Sequence, residues 1–271
     1  VNTNQVTGTG LTSSQTVTPT TLAQNVGQVM TAASAGTLAV SLDGSSPAYN
    51  IAAAGTSGNL LAVFKLTSTN EAINLQKFAM QLSNTASSSS SDLTTSGTNG
   101  AQVTLWDSAG NKVGSATFTG GNTFATSTLS ADFIIPKDGD KLLYVKGDLS
   151  AIGSSAVIKN SGDLIAMDYD GADSTGTQGK GAASGTVINQ GSSSDTTIIS
   201  SGGGLRVMKS YPTITMISVP SGLSYGKLLR FKITASSGGD VSLYKFAVRI
   251  ATTSTATVTS VNAYAYNNYD G

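Results

Sequence analysis

Asp168, Asp170 and Asp173 form the one acidic cluster in this sequence whose spacing suits a metal ion. They lie in DYDGAD, residues 168–173. Carboxylates so spaced can offer several oxygens to Ca2+, and Gly171 would permit the tight turn that such a loop needs. The distal glutamate of an EF-hand loop is missing, so this is no EF-hand. A polar hairpin turn explains the same residues without an ion. KDGDK, residues 137–141, is a weaker version, in which Asp138 and Asp140 are expected to hold a turn flanked by lysines.

Other chemistry is scarce. The 271 residues include no cysteine and no histidine. That removes disulfides, thiol nucleophiles, Cys/His zinc sites and the side chain most used for proton transfer near neutral pH. Glu71 is the sole glutamate. A glycosidase needs paired carboxylates, but Glu71 lies in a turn-like stretch and is expected to be solvated, so the chain is not expected to be an enzyme. The Gly-rich SGGGL, residues 201–205, is followed by no Lys-Ser/Thr and is not a phosphate loop. Trp106 is the only tryptophan, and Tyr264, Tyr266 and Tyr269 cluster together. Tyr264 and Tyr266 would share one face of a strand, as a platform for sugar rings would require. Rings that cap a core or an interface fit the pattern as well.

Composition narrows the partners. Charged residues make up 11% of the chain and the net charge is zero, against about 25% charged in ordinary domains. No basic face is available for nucleic acid, no cationic amphipathic stretch suits a membrane surface, and no apolar run is long enough for a spanning helix. Ser and Thr number 75 and Gly 31. A Ser/Thr/Gly-rich, charge-poor surface points to an extracellular, cell-surface setting. The opening VNTNQVTGTG, without Met, is expected to be a mature start or a fragment.

The elements that must carry these residues are strands. TLAVSL (37–42), LAVFKLTS (61–68), INLQKFAMQL (73–82), DFIIP (132–136), KLLYVKGDL (141–149), AVIKN (156–160), DLIAMDYD (163–170) and TVINQ (186–190) read as strands between Gly/Ser-rich breaks. In LAVFKLTS, Leu61 and Val63 face one way and Phe64 and Leu66 the other. In INLQKFAMQL the apolar phase shifts between Leu75 and Phe78, which a bulge would produce. AQVTLWDSAGNKVGSATF, 101–118, is a hairpin about a turn at 107–111. SSSSSD (87–92) and GADSTGTQGKGAASG (171–185) are expected to be exposed loops, and 191–204 a strand-bearing linker. No segment sustains helical periodicity, although residues 22–35 could form a short helix in place of an extended strand.

An internal repeat organises the whole. Phe64, Lys65, Leu66 and Thr67 match Phe231, Lys232, Ile233 and Thr234. After one extra residue in the second turn, Ile73, Leu75, Lys77, Phe78, Met80 and Leu82 match Val241, Leu243, Lys245, Phe246, Val248 and Ile250. Upstream, TLAVSL resembles TITMIS, 213–218. The expected fold is therefore all-β: an N-terminal arm (1–35), one complete Ig-like β-sandwich repeat (36–203) and a partial second repeat (204–271).

The residues 37–43, 64–82, 103–118 and 135–150 carry a further likeness. This pattern of strands and turns resembles the repeated β-sandwich modules of large secreted surface proteins, S-layer-like or fibre-forming, of small-genome candidate-phylum bacteria. It covers 36–150 well and 204–271 in part. The resemblance implies a structural role at the cell surface and brings no catalytic residues. Together these readings lead to a secreted structural protein that forms a layer or filament with copies of itself through β-edges. The alternative is a module of a larger surface protein that binds surface glycans. No cofactor is expected beyond the Ca2+ considered above.

Overall fold

The computed structural model describes residues 7–18, 35–83, 88–94, 100–130, 132–153, 161–173, 175–190, 198–199, 203–219, 227–252, 255 and 257–266. The chain divides into two compact units, Val1–Lys209 and Ser210–Gly271.

In chain order the strands are β1 (Gly8–Thr9), β2 (Thr16–Val17), β3 (Thr37–Leu42), β4 (Asn50–Ala53), β5 (Asn59–Thr69) and β6 (Ile73–Leu82). Then come β7 (Ala101–Trp106), β8 (Lys112–Phe118), β9 (Phe124–Leu129), β10 (Ile134–Ile135) and β11 (Asp140–Gly147). The first unit ends with β12 (Asp163–Ile165), β13 (Met167–Asp170), β14 (Thr177–Gly181), β15 (Val187–Gln190), β16 (Ile198–Ile199) and β17 (Leu205–Met208). The second unit holds β18 (Pro212–Met216) and β19 (Phe231–Ala235). Among the described residues the only helical pieces are single 3-10 turns at Ser90–Asp92 and Thr119–Gly121. The protein is almost wholly β.

The main sheet of the first unit follows the path β15-β14-β6-β9-β8-β7-β11-β5-β3, with β10 and β13 also on β6 and β16 on β13. Every pairing in it is antiparallel. Its two ends, β3 and β15, lie against one another without joining the ladder, so the sheet curls almost into closure. A second, three-stranded sheet has the order β12-β17-β4, with β17 parallel to β4. Because β17 belongs to that sheet, the units divide at Lys209/Ser210 and not at 203/204. Within the expected arm, β1 and β2 form a small hairpin, and residues 22–34 lie outside the described ones, as do 156–160.

The core explains the spacing of the apolar residues. Leu61, Ala62, Val63 and Phe64 are consecutive and all buried, because a curled sheet covers both faces of β5. Phe64, Phe78 and Tyr169 stack at its centre, with ring centroids 5.3 Å apart for Phe64–Phe78 and 5.5 Å for Phe78–Tyr169. Ala52, Ile165, Leu205 and Val207 of the smaller sheet join the same core. The phase change in β6 is a bulge: Gln178 faces Lys77 while Gly179 faces Leu75, leaving Gln76 unpaired. The 101–118 hairpin forms with its turn held by Asp107, whose carboxylate accepts from the amides of Ala109 (3.0 Å) and Asn111 (2.8 Å).

Two loop expectations fail. Residues 171–185 are not one exposed loop, since β14 runs through them and pairs with β6. Glycine is the reason. A Cβ on Gly179 would overlap Ile73 Cγ2, and one on Gly181 would overlap Glu71 Oε1. A Gly-rich strand thus reaches a neighbour that a side chain would hold off. The serine run is not fully exposed either: Ser90 and Asp92 are buried in the 3-10 turn.

Candidate functional site

The aspartate cluster lies at the end of β13. Asp168 faces Gln81 of β6 and is buried. Asp170 Oδ1 accepts from the Ala172 amide (3.1 Å), and Asp173 Oδ1 accepts from the Thr175 amide (3.0 Å) and hydroxyl (3.2 Å). These are turn-holding bonds. Among the described residues no three acidic side chains gather closely enough to hold an ion. In the KDGDK turn, Asp138 Oδ1 accepts from the Asn70 amide (2.8 Å) and so ties the β10–β11 turn to the β5–β6 turn. Both Asp138 and Asn70 adopt positive φ, 51° and 71°.

Glu71 is not the solvated turn residue expected of it. Oε1 accepts from the Gly36 amide (2.8 Å) and the Ser184 hydroxyl (2.7 Å). Oε2 accepts from the amides of Ala183 (2.9 Å) and Ser184 (2.8 Å). The Ser184 hydroxyl, then the Ser184 and Gly36 amides, hold its carboxyl down at about 2. Four donors fill its acceptor sites, so Glu71 is an anchor joining β3, the β5–β6 turn and the turn after β14, and no general base. That Glu71 is the sole glutamate was the only hint in the sequence.

Asp92 is the opposite case. It is fully buried; burial, and then the charge of Asp163, push its carboxyl up to about 6 against the pull of the Ser89 amide. Oδ2 accepts from that amide (3.2 Å), while Oδ1 has no hydrogen-bond partner among the described residues.

The aromatic candidates separate. Trp106 Nε1 donates to Thr104 Oγ1 (2.8 Å), and Lys146 Nζ sits 4.8 Å from the Trp106 ring, so one face of the ring is already covered. Tyr264 and Tyr266 are 75% and 69% exposed. Tyr269 lies outside the described residues.

The second unit holds the feature of greatest consequence. Its hairpin has the register of the first unit. Leu42 faces Phe64 and Val40 faces Leu66 across β3–β5, while Met216 faces Phe231 and Ile214 faces Ile233 across β18–β19. Val40 therefore corresponds to Ile214, two residues before the position suggested by TITMIS; a shift of two keeps the same faces. The aromatic contact recurs, with Phe231 and Phe246 5.9 Å apart. Burial does not recur. Phe78 and Met80 are 0% exposed, whereas Phe246 is 52% and Val248 46% exposed. Ile214, Met216, Leu229 and Ile250 are exposed as well, and residues 241–250 form no strand. Ser236, the counterpart of Thr69, ties the base of this hairpin, its hydroxyl accepting from the Tyr211 amide (3.1 Å), and the glutamate of the first turn has a Gly-Gly stretch, 238–239, in its place.

In comparisons with family models, curated proteins and solved structures, no significant match was found.

Proposed function

We propose that the chain is a secreted structural protein of the cell surface, built from Ig-like sandwich repeats, that assembles into a layer or filament through homotypic β-edge contacts. The observation that carries this reading is the second unit: it repeats the hairpin register and aromatic pair of the first, yet leaves the same apolar positions in water. Burying such side chains is worth about 25 cal/mol per Å2, and low charge leaves little repulsion between like subunits. Catalysis is no part of the proposal, since the donors around Glu71 occupy its carboxylate. Calcium is not required in it, because Asp168, Asp170 and Asp173 do not converge.

Electron microscopy with light scattering tests the reading. Filaments or sheets that persist in EGTA are expected; monodisperse monomers across a wide concentration range would overturn it. A second reading, a glycan-binding adhesin module, draws on the exposure of Tyr264 and Tyr266. Glycan-array binding lost in Tyr264→Ala, with no assembly, would favour it.

A further inference from the structure

We infer that the edge of β19 turned away from β18 is an acceptor for an antiparallel strand of β11-like chemistry, supplied by another chain. This rests on the self-association reading and names its acceptor and the pattern of its donor.

The first unit contains the template. There β5 lies between β3 and β11. Along the β11 side, Leu143 faces Phe64, Tyr144 faces Val63 and Val145 faces Ala62. Leu143 and Val145 are completely buried, so this strand closes the core over Phe64. In the second unit, among the described residues, β19 pairs with β18 alone. By the shared register, Phe231 stands where Phe64 stands and Leu229 where Ala62 stands. A strand seated on that edge with the β11 pattern would bring one apolar residue opposite Phe231 and another opposite Leu229, on the face that bears Phe246. Leu229 is 42% exposed, which leaves the site open to such a donor. Main-chain bonds along the edge give affinity, and the alternate side chains set register. The terminal strands of the main sheet are poorer acceptors, since β3 and β15 lie against each other.

The test uses the full chain and a fluorescent peptide of residues 137–150, KDGDKLLYVKGDLS, followed by anisotropy. Saturable binding at one peptide per chain is expected. It should weaken at least tenfold for a peptide carrying Leu143→Lys and Val145→Lys, and equally for the Phe231→Asp chain. Absence of saturation, indifference to Phe231→Asp (which would mean exchange into the first unit), or equal binding of the doubly substituted peptide would overturn the inference. So would dimers of the chain that exclude the peptide, because two hairpins would then cover one another. Assembly seen by microscopy without peptide binding would remove this edge as acceptor and leave self-association standing. Peptide binding without assembly would do the reverse.

Discussion

Asp92 offers a measurable signature of the first unit's core. Its carboxyl titrates near pH 3.8 in the unfolded chain and is pushed up to about 6 on folding, by burial first and by Asp163 second. The folded chain therefore binds this proton more tightly than the unfolded one. The resulting stabilisation is complete below pH ~4 and is lost as pH rises through about 6. Two units of pKa correspond to an upper bound of about 3 kcal/mol, which relaxation of the surroundings around the charged form reduces to roughly 1–2 kcal/mol. Urea denaturation followed by Trp106 fluorescence, which reports the first unit alone, should show the wild-type midpoint falling between pH 4.5 and 7. Asp92→Asn removes the titration while keeping an oxygen that can accept from the Ser89 amide. It should flatten that fall and raise stability at pH 7.5 by about 1 kcal/mol. Asp163→Asn should reduce the fall only in part, since burial is the larger cause. An unchanged pH slope in Asp92→Asn would refute the assignment of the charge to this residue.

At lower pH the sign reverses. Glu71 has a folded value depressed to about 2 from 4.5, so its contribution is present above pH ~4.5 and lost as pH falls toward 2; thermal melts from pH 5 to 2 should show this loss in the wild type and a reduced one, from a lower starting point, in Glu71→Gln. Gly179→Ala should destabilise by about 1–3 kcal/mol through the overlap with Ile73, whereas a free loop there would gain from the loss of glycine. Phe78→Ala should cost about 3–5 kcal/mol in denaturant melts, and Phe246→Ala of the unassembled chain within about 0.5 kcal/mol, because only the first ring is buried.

What the sequence disclosed and what it hid divide along a physical line. Alternation located β3, β5, β6, the β7–β8 hairpin and β11, because period-2 burial writes itself into residue type. The phase break at Gln76 was legible for the same reason. The Gly-rich β14 was not. Its contribution is a close backbone approach to Ile73 and Glu71, and a missing side chain carries no periodicity. Nor were the opposite fates of Glu71 and Asp92. Each looked like an exposed turn or loop residue, and only distant segments, Gly36 with 183–184 for one and the burying core with Asp163 for the other, make one carboxylate strongly acidic and the other weakly so. The repeat gives the same lesson in reverse. Equivalent sequences build equivalent hairpins down to the register and the Phe–Phe contact, because these depend on neighbours within the segment. Burial depends on β11, β13 and the smaller sheet, which the first hairpin has around it and the second lacks among the described residues of its unit. Local pattern thus specifies the hairpin, and on the proposal made above the strand that completes it would carry the pattern of the strands that complete the first.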